Sequence, residues 1–403
     1  MNPEDIEKPS RSLLPRFLNS PQLKPLMIRG KKLLPVVQGG MGVGISAHRL
    51  AGTVAAMGGM GTIASIDLRH HHQDLLARGQ GHGESVRDEV NAANMEALDR
   101  EIIAARVLSQ GQGMIAVNIM RAVSAYPSYV EQSLRSGVDA LVVGAGLPLD
   151  LPELAANYPE VALIPVLSDV RGIQLVVKKW ERKGRLPDAI VIEHPGYAGG
   201  HLGASRIDEV GDGRFDFERV VPEALEFFRV MGIEGEIPLI AAGGVRTFAD
   251  IQRLQALGAA GVQLGTPFAV TEECDAHPDF KKVLAGAAEG ERVTFLSVAG
   301  LPARAVLTPW LKTYLKFEDK LKSLARKKPR CTLKFDCLAQ CGLRDGKAGW
   351  GQFCIDTQLS AALRGDIKKG LFFSGVGGLP FGREIASVRA LLERLLGLQT
   401  VEI

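Results

Sequence analysis

The stretch that decides the fold runs from residue 238 to residue 268 and reads PLIAAGGVRTFADIQRLQALGAAGVQLGTPF. Two short apolar runs, at 238–241 and 261–264, each end at glycine, and a segment with helical periodicity at 248–257 lies between them. Near-continuous apolar strands that alternate with helices are typical of a parallel sheet covered on both faces. This stretch therefore predicts one strand–helix–strand unit.

The same unit recurs along the chain, and the total is eight apolar runs. Eight units match a closed α/β barrel of the (β/α)8, or TIM-barrel, class. A doubly wound open sheet is the alternative, but no G-x-G-x-x-G opens a helix after the first strand, which weakens its dinucleotide-binding version. The further strands are predicted at 34–38, 61–64, 114–118, 140–143, 162–166 and 189–193, and the further helices at 47–57, 91–109, 126–136, 170–183 and 221–231.

Two polar segments interrupt the barrel pattern, and we interpret both as long loops. The segment 66–90 follows strand two, and the segment 195–217, rich in Gly and Asp, follows strand six. Long loops in compact domains are usually functional. We assign residues 1–300 to the barrel and residues 301–403 to a C-terminal extension, which we expect to be helical, cysteine-bearing and packed on or near the barrel mouth.

The composition is that of an ordinary globular protein, with 46% hydrophobic and 23% charged residues. The formal net charge of +3 is too small to favour a nucleic-acid partner. Five cysteines in 403 residues do not make a disulfide scaffold. No apolar run is long enough for a membrane helix, and residues 1–16 lack the apolar core of a signal peptide. We therefore expect a cytoplasmic enzyme.

Glycines and a few polar residues concentrate where the apolar runs end. In a closed barrel these positions meet at one mouth, the face that carries barrel active sites. The loops after strands seven and eight commonly bind a phosphate, because free backbone N–H groups attract an anion. The positions are Gly39, Gly40 and Met41 after strand one, Asn118 in strand three, Glu193 to Gly203 after strand six, Gly243 and Gly244 after strand seven, and Gly265 and Thr266 after strand eight.

Three motifs in order give the chain a family resemblance: AGGHLG at 198–203, IAAGGV at 240–245 and GAAGVQLGTPF at 258–268. Over residues 30–310 the chain resembles the nitronate monooxygenase (2-nitropropane dioxygenase) family, which is related to flavin-dependent enoyl-ACP reductases. The resemblance implies non-covalent FMN and makes His201 the active-site histidine. It also implies that Gly39, Gly40 and Met41 pack against the isoalloxazine ring, that Asn118 hydrogen-bonds it, and that Gly199, Gly200, Gly243, Gly244, Gly265 and Thr266 hold the ribityl phosphate.

The segment before His201 departs from the family pattern. Short members often carry Gln seven residues before the histidine and Glu four residues before it, where this chain has His194 and Tyr197. A one-residue insertion would let Glu193 take the ring-contacting role. Two alternatives stay open, with either Glu193 or His194 at the flavin.

The resemblance leaves three functions to separate. The first is oxidation of alkyl nitronates with O2, in which His201 takes a proton or orients the anion. The second is an NAD(P)H-dependent reductase that acts on a quinone or an enoyl thioester. The third is a flavin-binding accessory or sensor protein without turnover.

Histidines and cysteines outside these motifs give weak metal signals. The run at 70–72, with His82, has adjacent histidines that are not expected to converge on one ion. Cys331, Cys337, Cys341 and Cys354 fit neither the zinc-ribbon nor the ferredoxin spacing. We predict metal-free thiols. The basic segment 312–330 has helical apolar spacing and is interpreted as a solvated amphipathic helix, whose basic face an acidic partner such as acyl carrier protein could meet.

Overall fold

The computed structural model describes residues 12–20, 22–79, 84–327, 335 and 337–398. Its centre is a closed barrel of eight parallel strands, in the order β3-β4-β5-β6-β7-β8-β10-β11. The strands are β1 Leu26–Ile28, β2 Lys31–Leu33, β3 Val36–Gln38, β4 Met60–Ala64, β5 Met114–Met120, β6 Ala140–Gly144, β7 Ala162–Leu167, β8 Ile190–Glu193, β9 Gly200–His201, β10 Leu239–Ala242, β11 Gly261–Leu264, β12 Arg292–Leu296 and β13 Pro302–Val306.

Helices cover the outside of this barrel and continue into the C-terminal part. The α-helices are α1 Leu14–Leu18, α2 His48–Ala56, α3 Gln73–Leu76, α4 Glu84–Ser109, α5 Tyr126–Arg135, α6 Leu151–Leu154, α7 Val170–Glu181, α8 Phe217–Met231, α9 Phe248–Leu257, α10 Thr266–Ala269, α11 Pro278–Gly286, α12 Pro309–Ser323, α13 Gly342–Asp345, α14 Ile355–Leu363 and α15 Val388–Leu395. The predicted TIM barrel is confirmed.

The barrel strands are apolar on both faces because each face meets a different part of the core. In β5, Ile115 and Val117 pack outward with the helices, whereas Met114 and Ala116 point into the barrel interior. The hairpin of β1 and β2 adds Leu26 and other apolar side chains to that interior at the end where the strands begin. With that end plugged, the opposite end forms the mouth.

Local signals define the strand–helix–strand unit of residues 238–268. Helix α9 begins at a capping box, in which Thr247 Oγ1 accepts a hydrogen bond from the Asp250 N–H and the Asp250 carboxylate accepts one from the Thr247 N–H. The helix ends at Gly258, whose φ of +109° suits glycine. The chain then enters β11, which closes the barrel by pairing with β3.

Both polar segments contain more structure than the loops predicted from the sequence. The segment after β4 holds a 3₁₀ turn at Leu68–His71 and helix α3, and α4 begins at Glu84 instead of residue 91. The first residues of α4 are mostly exposed, so their sequence shows no apolar periodicity. The segment after β8 contains β9 and two 3₁₀ turns. His82 lies outside the described residues.

A hairpin connects the barrel to the C-terminal part, which then runs across the mouth. Strands β12 and β13 pair antiparallel across residue 300, and β9 joins them as a third strand. The predicted basic helix ends at Ser323, and the final helix spans Val388–Leu395 with its apolar face in the main core. The division at residue 300 stays a prediction. None of the described helices is long and apolar enough to cross a membrane.

Candidate active site

A cavity of about 300 Å³ opens where the barrel strands end, within the size range of small-molecule sites. The loops after β3, β5, β8, β10 and β11 form its barrel side, and residues 371–379 of the C-terminal part form another wall. The structure brings all twelve predicted site residues to this cavity: Gly39, Gly40, Met41, Asn118, Glu193, Gly199, Gly200, His201, Gly243, Gly244, Gly265 and Thr266.

The loop after β3 lies directly on Asn118. A Cβ on Gly40 would stand 2.3 Å from the Cβ of Asn118, so only glycine allows this approach. The Asn118 side-chain amide donates to the Val142 carbonyl at 3.2 Å. This hydrogen bond fixes the orientation of the amide plane and therefore the position of its Oδ1. The Met41 N–H donates to Ser46 Oγ at 2.8 Å and holds the loop. The result is a glycine-lined surface beside one oriented amide.

The loops after β10 and β11 form a second glycine-lined wall. Gly243 and Gly244 have φ values of +111° and +75°, and Tyr197 packs against them so closely that Cβ atoms would meet its side chain at 3.1–3.2 Å. Among the described residues, the N–H groups of Gly244, Gly265 and Thr266 find no hydrogen-bond acceptor. Free N–H groups of this kind are suited to an anion.

Segment 198–201 is held from behind by a buried arginine that the sequence analysis missed. Gly200 pairs with Arg304 in the β9–β13 ladder. The Arg304 guanidinium donates to the carbonyl oxygens of Pro195 and Ala198, at 3.1 and 2.5 Å. Burial lowers the pKa of Arg304. Two of the guanidinium's donor contacts are made to these carbonyl oxygens. The sequence around Arg304 does not predict this contact, because the contact depends on the pairing of β13 with β9, which lie about 100 residues apart in the chain.

The imidazole of His201 faces the cavity and is oriented by a serine. His201 Nε2 lies 3.0 Å from Ser297 Oγ, and Ser297 is fully buried. The Ala299 N–H also donates to this Oγ at 3.2 Å, which holds the serine side chain in place. The ring of Phe373 meets the imidazole edge-on at 5.7 Å. Burial lowers the pKa of His201 to about 4, so the ring is neutral at neutral pH.

The two alternatives before His201 separate clearly in space. Glu193 lines the cavity, and burial raises the pKa of its carboxyl group to about 7. His194 is 5% exposed and packs between Tyr197 and Phe217, with its Nε2 3.3 Å from Asp216 Oδ1. The geometry therefore puts Glu193, and not His194, at the cavity.

Gln263, at the end of β11, also lines the cavity. Its side chain lies 3.2 Å from where a Cβ of Gly39 would be, and its Oε1 is buried without a hydrogen-bond partner in the described part of the chain. The sequence showed this residue only as one letter of a motif. A buried unsatisfied oxygen beside a glycine-lined surface is a position where a ligand N–H could bind.

A glycine-rich run near the C terminus, at residues 374–378, also contributes to the cavity. Residues 374–378 lie in the cavity wall beside the loop after β8. A Cβ on Gly199 would stand 2.4 Å from the backbone nitrogen of Gly375, and the Gly375 N–H donates to Thr266 Oγ1 at 3.0 Å. The C-terminal part thus closes directly on two predicted site residues.

The histidine run points in three directions. His70 Nε2 lies 3.4 Å from Asp67, His71 Nε2 lies 2.8 Å from the Gly44 carbonyl, and His72 Nε2 lies 2.9 Å from Glu101. One metal-compatible cluster does form among the described residues, from Asp67, His70 and Asp356.

That cluster already has positive charge of its own. Arg69 Nε lies 2.7 Å from Asp67 Oδ1, and Arg364 Nη1 lies 3.5 Å from His70 Nδ1. An arginine can only donate, so this contact makes Nδ1 the acceptor and keeps the proton on Nε2. Two guanidinium groups and the Nε2–H of His70 surround the carboxylates. The cluster is therefore better described as an ion-pair network than as a cation site.

The cysteines of the C-terminal part do not converge where the structure describes them. Cys337 lines the cavity, Cys341 is buried, and Cys354 Sγ accepts a hydrogen bond from Thr357. No three of these described cysteines have sulfur atoms within 4.8 Å of one another. Cys331 lies outside the described residues, so the metal-free thiols stay a prediction.

Comparisons with known proteins indicate the family of the chain. The nitronate monooxygenase family profile matches residues 25–397. A probable nitronate monooxygenase of Bacillus subtilis is 30% identical over 129 residues, which are 32% of this chain and 35% of that protein. A probable nitronate monooxygenase of Staphylococcus saprophyticus is 24% identical over 303 residues, 71% of this chain and 79% of that protein.

Solved structures show the same fold at lower identity. FabK from Thermotoga maritima superposes with a TM-score of 0.61 and 21% identity, and 96% of each chain is covered. Nitroalkane oxidase from Streptomyces ansochromogenes gives a TM-score of 0.60 and 19% identity, over 93% of this chain and 96% of that one. Because the family profile spans nearly the whole sequence, the chain belongs to the nitronate monooxygenase family of flavin-dependent oxidoreductases.

Proposed function

We propose that the chain binds one FMN non-covalently in the cavity at the barrel mouth and oxidises alkyl nitronates with O2. One observation carries the proposal: His201 opens on the same cavity that two glycine-lined walls enclose. A glycine-lined surface, an anion site and a neutral imidazole are therefore available together. Flavin would supply the electron chemistry, and the chain would position both molecules.

The residues present fit FMN. The free N–H groups of Gly244, Gly265 and Thr266 suit one phosphate, and Gly199 and Gly200 continue that wall. The surface at Gly39 and Gly40, with Met41 beside it, suits a planar ring. Asn118, Gln263 and Glu193 offer polar atoms at its edge. The absence of a dinucleotide fingerprint from the sequence favours FMN over FAD.

His201 would handle the anionic end of the substrate. Ser297 Oγ engages Nε2, so Nδ1 is the ring nitrogen left for the substrate. In the tautomer in which the serine hydroxyl donates to Nε2, the ring proton lies on Nδ1 and can be donated to a nitronate oxygen. Ser297 acts as a positioning residue, since its hydroxyl group holds Nε2 of the imidazole.

Anaerobic mixing tests the proposal. The flavin-loaded protein is mixed separately with ethyl nitronate, NADH and NADPH, and flavin absorbance is followed. Bleaching by ethyl nitronate supports nitronate oxidation. Bleaching by a nicotinamide alone supports the reductase of a quinone or enoyl thioester, which the apolar part of the cavity wall also accommodates. Bleaching by none of them supports an accessory protein without turnover.

A further inference from the structure

The cavity has an apolar end that FMN does not account for. We define the apolar subsite by Ile66, Val123, Leu338, Ile355, Leu359 and Phe373, all of which line the cavity. Four of these six side chains come from the C-terminal part of the chain. A phosphate and a ring with polar edges need backbone N–H groups and amides, whereas aliphatic side chains gain free energy from covering apolar ligand surface.

The apolar subsite is built from segments that are fastened to the barrel. Leu338 forms a bridge with Val123, and the Ala339 N–H donates to the Ala122 carbonyl at 2.9 Å. Phe373 forms a bridge with Ala305 in β13. Such anchoring makes the subsite pre-formed, so little ordering cost opposes binding.

Helix α14 is anchored by the charged cluster described above. Asp356, in its first turn, is buried beside Asp67, which Arg69 holds through its Nε. Burial and the neighbouring Asp67 raise the pKa of Asp356 well above its usual value. Burial therefore disfavours the charged form of the Asp356 carboxyl group, and a less charged surface beside Ile355 and Leu359 suits hydrocarbon.

The subsite begins at the reactive side chain. The ring of Phe373 lies 5.7 Å from the imidazole of His201, centroid to centroid. A substrate whose reacting group meets His201 can therefore extend the rest of its structure along the C-terminal wall. We propose that the apolar subsite binds an unbranched alkyl chain on the nitronate carbon, so that nitronates with several methylene groups are preferred over ethyl nitronate. This inference rests on the proposed function.

A chain-length series tests the inference directly. The rate of anaerobic flavin bleaching is measured with ethyl, butyl, hexyl and octyl nitronate. Burial of each methylene is expected to raise kcat/KM by up to about fourfold until the subsite is full. A kcat/KM that stays flat or falls with length would overturn the inference while leaving nitronate oxidation intact.

A matched pair of variants locates the effect. Leu359→Gln puts a polar group of similar size in the subsite, and we expect it to lower the octyl-to-ethyl ratio of kcat/KM by about tenfold. Leu321→Gln, on the half-exposed face of α12, should leave that ratio unchanged. Equal ratios in the two variants would contradict the placement of the chain at α14.

Binding of unreactive ligands separates failure of the inference from failure of the proposed function. Linear alkanoates, from acetate to octanoate, carry the same planar two-oxygen anion and are titrated while the flavin spectrum and the melting temperature are recorded. Tighter binding with length, weakened in Leu359→Gln, supports the subsite even if no nitronate bleaches the flavin. Binding independent of length refutes the subsite in either case.

Discussion

His201 and Glu193 line the same cavity, and burial shifts their pKa values in opposite directions. Burial removes the charged form of each, so the pKa of the imidazole falls to about 4 and that of the carboxyl group rises to about 7. Between those values both groups are neutral. In that range neither of these two groups adds a negative charge to a site that receives an anionic substrate.

Replacement of His201 by alanine should separate binding from turnover. The phosphate would be held by backbone N–H groups, so flavin content should stay near wild type. Acid–base help from one side chain is typically worth about 10²–10⁴-fold, so turnover should fall by about a hundredfold or more. Flavin content and steady-state rate check this. Full activity in the loaded variant would reduce His201 to a structural residue, and loss of flavin would place it in cofactor binding.

Glu193 should produce a pH dependence that its amide variant lacks. As the pH rises through about 7 the carboxyl group ionises, and its negative charge opposes both an anionic substrate and electron gain by a neighbouring flavin. The rate of bleaching by a nitronate should therefore fall above that pH in the wild type and stay level in Glu193→Gln. A fall that persists in Glu193→Gln would assign the titration to another group.

Among single residues, the sequence analysis predicted the site residues that lie inside motifs. It missed the residues that β-strand pairing brings to the site. The glycines, Asn118 and His201 stand at predicted strand ends, so one rule about barrel mouths gathered them. Ser297 and Arg304 reach the site through the β12–β13 hairpin, whose pairing with β9 spans about 100 residues and leaves no local pattern.

At the scale of elements, the contact between the loop after β8 and segment 374–378 joins the two parts of the chain. Gly199→Ala would put a Cβ 2.4 Å from the backbone of Gly375, and backbone yields less easily than a flexible side chain. Overpacking of this kind typically costs about 1–3 kcal/mol. We expect a lower free energy of unfolding and a lower flavin content.

Gly211→Ala is the control, because it lies in the same loop with no atom within 4 Å of the new Cβ. Urea unfolding followed by tryptophan fluorescence measures both variants. If Gly199→Ala matched Gly211→Ala in stability and flavin content, the two segments would not be in the close contact described.

Metal content tests the prediction for the cysteine-bearing segment. Elemental analysis of the purified protein should find no stoichiometric iron or zinc, because the spacing of its cysteines matches no common cluster. Stoichiometric metal that disappears in the Cys337→Ala, Cys341→Ala double variant would refute the prediction.

At the scale of the whole molecule, the barrel was predictable and the wall across its mouth was not. Barrel strands such as β7 and β11 are buried on both faces, so they stand out in the sequence as apolar runs. Residues 337–379 meet the barrel through scattered side chains and short bridges, such as that between Val123 and Leu338, which have no sequence period. The sequence therefore indicated a cofactor site but not the apolar subsite.

The most direct test of the central claim is the absorbance spectrum of the purified protein before and after anaerobic addition of ethyl nitronate, followed by identification of the acid-released flavin. We predict a bound flavin that bleaches with the nitronate, recovers when O2 is admitted, and is released as FMN. A flavin that NADH or NADPH bleaches but the nitronate does not, release of FAD, or a colourless protein that FMN does not reconstitute would contradict the account.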